Sequence, residues 1–470
     1  MDWNNFRFLR FVHNFYNKNE KLGCLYNALT LDTIYYDGSM FDIVNQGLKN
    51  GLQVVIQHLA DSPKLEKLLR ALLSKKMIVK FKYDELKLMN SIVRKVLKGP
   101  RIRNLIMLMT DNCNMSCKYC YIEKSLPTGY KHSFMTIKTA KAAIDKFISI
   151  ANPDAKAWTI EFYGGEPLLN WEAVKFSLQY LYDLKKSGKI NKKINKILIT
   201  NGTLINEKNA VELKKNNVHV AISIDGPAEV HNMNRVYSDG KGTFDDVYRG
   251  FEFLKKSGIT PSISAVMTKQ SMLTAIDNVR YFIEKLGVKQ IGFNHVSIIP
   301  NVNSYDPDYE KNFGEILLKI QELILNTDNA YERRMSNKLY NFLMGNIQKA
   351  DCTGCGEQIS VSPDGTIGVC QGFVGSRFTF NKSVFDPDYN PNNDPVFNEW
   401  SLRSPLNMKQ CYDCPALGIC GGGCPRNAYM LHGSIWEKDT AYCHFAKQAV
   451  EWLIWKKTKL MKDKIEVLKV

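Results

Sequence analysis

The sequence predicts an α/β protein. Its centre is a partial (β/α)6 barrel of TIM-like type, with a winged-helix-like α+β domain before it and a cysteine-rich domain after it. Three observations predict this. Strand-like and helix-like segments alternate six times between residues 101 and 300, and repeated βα units build a parallel sheet that curls into a barrel. Residues 1–100 carry aromatic and β-branched runs ahead of amphipathic helical stretches, and hold one lone cysteine, Cys24. Eleven of the twelve cysteines fall into three groups, within 113–120, 352–370 and 411–443. The expected units are 1–100, 101–300, a bridge of helices over 301–350, the cysteine-rich domain over 351–450 and a basic C-terminal helix over 451–470.

Each element follows from local chemistry. Residues 6–15 and 25–36 suit two strands of a hairpin, because aromatic and β-branched side chains favour the pleated surface. Asp37 and Gly38 close the second. Ser39 then caps a helix that shows Met40, Ile43, Val44 and Leu48 on one face. Ser62 and Pro63 open another, with Leu65, Leu68, Leu69, Leu72 and Leu73 together. The strand edge of this unit is free to take an added peptide strand. Further along, strands are expected at 105–110, 158–163, 196–200, 219–225, 262–267 and 290–296. Helices are expected at 137–150, 171–186, 208–216, 244–258, 272–286 and 309–326. Residues 350–445 are rich in Gly, Pro and Cys, with too few periodic apolar segments for a core of their own, so metal is expected to hold them together.

Composition excludes several classes. Of the 470 residues, 44% are hydrophobic and 23% charged, ordinary globular usage rather than disorder. No apolar run approaches the roughly 20 residues of a membrane span. Asp2, Arg7 and Arg10 interrupt the N-terminus, so no signal peptide is read and a cytoplasmic location is expected. Lys plus Arg is 63 against 47 Asp plus Glu, a net +16. The lysines are spread along the chain, which reads as a solvated surface rather than a nucleic-acid face. In a reducing compartment, cysteines at short spacings read as metal ligands rather than disulfides.

Cys113, Cys117 and Cys120 stand in a CxxxCxxC pattern just past a strand end. A structural zinc needs four ligands, and so does a cubane iron–sulfur cluster, so three thiolates leave one position open. The next strand ends in Gly164, Gly165, Glu166 and Pro167. Two glycines there allow close backbone approach, and the carboxylate can accept hydrogen bonds from an ammonium group. Together these residues resemble the radical S-adenosylmethionine (SAM) enzymes, whose CxxxCxxC and GGEP motifs they match. The resemblance implies that Cys113, Cys117 and Cys120 bind a [4Fe–4S] cluster whose open iron takes the amino and carboxylate groups of SAM. It implies that Glu166, with Gly164 and Gly165, holds the amino group, and that Tyr119 lies near the adenine. The turns at 200–203 and 223–227 are similar to the family's TNGT and S-[IL]-D-G-P. They imply Ser223 and Arg235 for the SAM carboxylate or ribose, and Asn201 and Asp225 for the cavity wall. Read without the family, Asp225 is a helix cap and Arg235 a surface ion pair.

The remaining cysteines resemble the SPASM extension of radical SAM enzymes. Cys355 and Cys370 bracket Gly365; Cys411, Cys414, Cys420 and Cys424 follow as CX2CX5CX3C, and Cys443 completes the set. The resemblance implies two auxiliary [4Fe–4S] clusters. One would use Cys355, Cys370 and Cys424, with Cys352 either the fourth ligand or leaving an iron open. The other would use Cys411, Cys414, Cys420 and Cys443. Structural zinc is the alternative for these four-cysteine sets.

The first hundred residues are similar to the PqqD-like recognition element of maturases that modify ribosomally made peptides. This implies that a precursor peptide binds through its leader. The expected activity is a peptide maturase in which a 5′-deoxyadenosyl radical abstracts hydrogen and a thioether forms between a Cys sulfur and an acceptor carbon, as in sactipeptides and ranthipeptides. A low-potential donor such as flavodoxin or ferredoxin would supply electrons, with no nucleic acid or membrane as partner. A carbon–carbon cross-linking maturase shares this architecture, and a formylglycine-generating sulfatase maturase is a further alternative, although that group does not need the N-terminal domain. A nucleic-acid-binding iron–sulfur regulator is the alternative of another class; the stretch 64–73 carries only Lys64, Lys67 and Arg70 toward it. Cys24 is expected as a buried residue, His295 as a cavity-facing or structural histidine, and Asp306 and Asp308 as solvated.

Overall fold

The computed structural model describes residues 2–60, 62–299, 305–327, 330–461 and 467–468. The first unit has strands β1 (Phe6–Phe8), β2 (Val12–Asn17), β3 (Leu22–Asn27), β4 (Thr33–Asp37) and β5 (Ile78–Lys80), with helices α1 (Phe41–Asn50), α2 (Gln53–Gln57), α3 (Pro63–Ser74) and α4 (Glu85–Val96). β2, β3 and β4 form an antiparallel meander, and β1 pairs with β5. Each of the two strands expected here is therefore a pair. The first breaks at a turn in which Val12 N–H donates to Leu9 O at 3.1 Å. The second breaks where Asn27 Oδ1 accepts from Leu29 N at 3.0 Å and Thr30 N at 3.3 Å, with Leu31 at φ 64°. A side-chain acceptor there competes with the ladder and reverses the chain.

The barrel strands are β6 (Asn104–Thr110), β7 (Trp158–Gly164), β8 (Ile194–Thr200), β9 (Val218–Ile222), β10 (Ser262–Met267) and β11 (Gln290–His295). They pair in parallel in chain order. Between them lie α5 (Ile137–Ile150), α6 (Trp171–Lys186), α7 (Glu207–Lys215), α8 (Ala228–Asn232), α9 (Phe244–Lys256), α10 (Lys269–Met272) and α11 (Ala275–Arg280). The long helix expected at 272–286 is instead α10, α11 and a π-helical turn, Tyr281–Lys285. β9 stops at Ile222, before the expected end at 225. Along β7, Trp158, Ile160, Phe162 and Gly164 are buried, while Thr159, Glu161 and Tyr163 on the other face are only half-buried. This is the period-two signature of one face under helices and one face toward the barrel interior.

Beyond the barrel come α12 (Pro307–Leu325), β12 (Tyr331–Glu332), α13 (Arg333–Leu343), β13 (Gln358–Val361), β14 (Thr366–Gly368), β15 (Lys382–Ser383), α14 (Pro395–Leu402), α15 (Pro425–His432), α16 (Thr440–Leu460) and β16 (Val467–Leu468). Among the described residues one sheet holds ten strands, ordered β12-β11-β10-β9-β8-β7-β6-β13-β14-β15. β13 adds in parallel to β6, so the cysteine-rich region shares the barrel's sheet. Ile359, Val361, Ile367, Val369, Phe373 and Trp400 are buried in the core it shares with the barrel rather than in one of its own. Asp306 is not simply solvated: it accepts from Tyr309 N at 3.0 Å to cap α12 and pairs with Lys269. The expected C-terminal helix over 451–470 begins earlier, at Thr440, where Asp439 caps it. It ends at Leu460, and Val467 and Leu468 form a strand parallel to β4 beside Tyr35 and Tyr36; 462–466, 469 and 470 lie outside the described residues. Cys24 is fully buried in β3, as expected. No helix among the described residues is long and apolar enough to cross a membrane.

Candidate active site

Two turns meet at the C-terminal rim of β6 and β7. After β6, buried Asp111 accepts from Ser133 N and Tyr130 Oη, both at 2.7 Å, and anchors the loop that carries the first cysteines. After β7, Gly165 N–H donates to Thr110 O and Glu166 N–H to Asn112 O, each at 2.9 Å. The glycines make this approach possible. A Cβ on Gly164 would lie 2.1 Å from Thr110 O, and one on Gly165 would lie 2.2 Å from Asn112 O. The two motifs are thus one structure, held by main-chain bonds.

Cys113, Cys117 and Cys120 are half-buried on this loop. Burial pushes the Cys113 thiol up to about 12, with Glu166, Cys117 and Cys120 adding to it. Burial pushes Cys117 up to about 11, opposed by the Arg235 guanidinium. Cys113 and Cys117 held so become thiolates when a cation joins them.

Glu166 is fully buried. One carboxylate oxygen accepts from Leu168 N at 2.9 Å and Thr200 Oγ1 at 2.8 Å, and the other from Asn201 N at 2.7 Å. Burial pushes its pKa up to about 7 despite these bonds. No cation pairs with it among the described residues, and a carboxylate offers about four acceptor positions. The site therefore fits an ammonium group: it supplies an acceptor, a buried negative charge and a lack of counter-charge.

The other expected residues sort into two sets. Asn201 is buried beside the cysteine loop, its Nδ2 2.9 Å from Asn114 Oδ1 and 3.8 Å from Cys113 Sγ. Asp225 and Arg235 are both buried, with Arg235 Nε 3.1 Å from Asp225 Oδ1. Tyr119 Oη donates to Asp225, and the Arg235 guanidinium lies 5.4 Å from the Tyr119 ring centre. Arg235 is therefore no surface pair, and Asp225 caps no helix. Ser223 stands apart: its hydroxyl makes no hydrogen bond among the described residues. His295 is tied into the fold, its Nδ1 3.1 Å from Val296 O and its ring edge-on to Phe313.

The C-terminal cysteines form two sets of four. Cys352 feels the charges of Cys355, Cys424 and Cys370, so the structure groups Cys352 with those three. Cys411 feels Cys443 and Cys414, and Cys420 feels Cys443. Burial pushes Cys355 up to about 11 and Cys370 up to about 12. Among the described residues no three metal-binding side chains close round a single ion; a cubane spreads its thiolates over a wider cage than one zinc does.

Residues 107–273 match the model of the Radical SAM superfamily. The chain belongs to that superfamily. Radical SAM cyclopropyl synthase TigE of Paramaledivibacter caminithermalis is 26% identical over 384 residues, 77% of this chain and 76% of that one. The cysteine-type anaerobic sulfatase-maturating enzyme of Clostridium perfringens strain ATCC 13124 is 26% identical over 378 residues, 75% of this chain and 96% of that one. The structure of Streptococcus suis SuiB bound to its precursor peptide SuiA matches with a TM-score of 0.52 over 93% of this chain and 99% of that one; at 17% identity this is a likeness of fold.

Several groups around this site escaped sequence reasoning. The Thr200 hydroxyl and the Leu168 N–H complete the Glu166 shell. Tyr121 and Tyr163 share a hydrogen bond at 3.0 Å between Cys120 and Cys370. Arg426 reaches from α15 to Ile298 O at 2.9 Å and Gly372 O at 3.0 Å, over the Tyr121 ring. Only Thr200, at a strand end within the turn at 200–203, carried a signal that could have revealed it.

Proposed function

We propose that this protein is a radical SAM/SPASM peptide maturase that joins a cysteine sulfur to an acceptor carbon within a precursor peptide. The observation that carries the radical SAM part is Glu166, a buried carboxylate without a counter-cation, bonded into the same turn as three grouped thiols. On this reading Cys113, Cys117 and Cys120 hold a [4Fe–4S] cluster and Glu166 takes the SAM ammonium group. Bound there, cluster and SAM supply a carbon-centred radical able to remove hydrogen from an unactivated carbon. The chain's own residues do the rest. Asp225 fixes the Tyr119 hydroxyl and Arg235 stacks over the ring, so the loop wall is rigid before ligand arrives. Thr200 and Asn201 hold the Glu166 carboxylate in one orientation. Tyr121, Tyr163 and Arg426 close the space between the first cysteine loop and Cys370, and shield it from water.

The first unit supports a peptide substrate. In the first unit's sheet, ordered β16-β4-β3-β2, the β4 side of the meander is covered by β16, a second segment of the same chain added in parallel. That is the geometry by which an extended leader adds to a sheet. The two cysteine sets of four fit auxiliary clusters, and a flavodoxin- or ferredoxin-type protein is the proposed electron donor. A second reading, sulfatase maturation, is favoured by the 26% identity to the C. perfringens enzyme.

Tandem mass spectrometry of a precursor peptide treated anaerobically with protein, SAM and dithionite tests this. The thioether reading expects a loss of about two hydrogens per link, with the cysteine no longer alkylated. A two-hydrogen loss with a free thiol would point to carbon–carbon linkage. An unchanged peptide, with a sulfatase-type peptide converted instead, would favour the second reading.

A further inference from the structure

Arg403 follows α14 and is fully buried. Its guanidinium donates to three main-chain carbonyls: Ile435 O, Gly422 O at 2.8 Å and Glu437 O at 3.2 Å. None of the three is charged, and among the described residues no carboxylate stands within ion-pair distance of it; the buried Asp439 carboxyl feels its charge from further off. A buried cation hydrogen-bonded only by neutral dipoles leaves part of its desolvation cost uncompensated. Arginine does not relieve it by losing its proton. The surroundings supply a candidate anion. Gly422, whose carbonyl Arg403 holds, donates its N–H to Cys420 Sγ at 3.3 Å, and the Arg403 charge acts on Cys355 and, in the other set, on Cys411. The backbone is shaped around the group as well. Gly422, between Cys420 and Cys424, has φ 82°, and a Cβ there would fall 3.0 Å from Arg403 Nη1.

A cubane bound by four thiolates is anionic, and gains a further negative charge when reduced. A fixed positive charge beside it stabilises the reduced form more than the oxidised one. Hydrogen bonds and charge near the cluster are the levers by which a protein sets reduction potential.

We propose that Arg403 is a buried counter-charge of the cluster held by Cys352, Cys355, Cys370 and Cys424, and that it raises that cluster's reduction potential. The inference rests on reading these cysteines as an iron–sulfur cage. Arg403 acts through the cluster, touching neither SAM nor substrate, so it is a positioning residue. Because its charge is the strongest acting on Cys355 and the weakest of those acting on Cys411, its effect is larger on the first cluster than on the second. Neutral carbonyls alone would hold its geometry; the charge is what the site adds.

The test is an anaerobic potentiometric titration of the reconstituted full-length protein, followed by electron paramagnetic resonance, with iron counted beside it. Arg403→Gln is expected to lower the potential of one auxiliary cluster, shift the other less, and leave the SAM-binding cluster unmoved. Arg403→Lys keeps the charge but cannot span all three carbonyls; it is expected to keep the potential near the wild-type value. Unchanged potentials in an iron-replete Arg403→Gln protein would overturn the inference. So would an Arg403→Lys protein whose potential departs from wild type, a comparison that stands even if the Gln variant fails to fold. If wild-type protein holds only about four irons, and Cys355→Ala loses none, the cage reading itself fails. That outcome is distinct from clusters present at unchanged potential.

Discussion

Glu166 concentrates the chemistry of the site in one side chain. Its pKa rises from an ordinary 4.5 to about 7 through burial, so the folded chain holds this proton more tightly than the unfolded chain. The stability it contributes is full below the unfolded value and is lost as pH rises through about 7. In SAM-free protein, Glu166→Gln should flatten that loss, by at most about 3 kcal/mol. Denaturant unfolding across roughly pH 4 to 8 checks it; equal slopes in both proteins would contradict an unpaired buried carboxylate. The same change should weaken SAM binding at least roughly tenfold, since a charge-assisted hydrogen bond is worth about 1.5–3 kcal/mol. Asp225→Asn strands the buried Arg235 and should cost about 3–5 kcal/mol, read as a fall in melting temperature. At this scale the motif residues were legible because their spacing and their place at strand ends are both local. Arg403 and Arg426 among the cysteines were not. Their roles depend on partners far along the chain, and a lone Arg carries no pattern.

The elements that matter most are two turns and one strand edge. A Cβ on Gly165 would lie 2.2 Å from Asn112 O, so Gly165→Ala should drive the GGE turn off the cysteine loop. The expected outcome is loss of the SAM-binding cluster's resonance signal with the auxiliary signals kept. Tyr35, on β4, donates to Ile454 O in α16 at 2.8 Å. Tyr35→Phe removes that bond and should cost about 1 kcal/mol, with faster amide exchange at the junction of the first unit and α16. The barrel strands were legible within a residue or two at most ends because each is a short apolar run bounded by turn residues. Three kinds of element were hidden. β3 and β4 read as one strand, because the Asn27 turn is a side-chain device inside an apolar run. β13 hid in a Gly- and Cys-rich stretch, since a four-residue strand gains its meaning only by lying beside β6. β16 lies in a basic tail whose partner is more than 400 residues away.

At the scale of the whole molecule, the first unit, the barrel sheet and the cysteine-rich region share their packing. Gly418 N–H donates to Ala28 O at 2.8 Å, tying the loop of the second cysteine set to the first unit's meander. Excising residues 1–100 would uncover that face, so loss of leader affinity in such a deletion must be read beside its stability. Three clusters of four irons predict about twelve irons per chain, falling to about eight when Cys113, Cys117 and Cys120 are all changed to Ala. The claim on which everything else stands is that the Cys113 loop and Glu166 form one SAM-cleaving site. The most direct measurement is 5′-deoxyadenosine released from SAM by dithionite-reduced, iron-replete protein, compared with its Cys117→Ala variant. The account predicts steady release by the wild type and none by the variant. Release that survives Cys117→Ala, or no release from a wild type with its full iron, would contradict it.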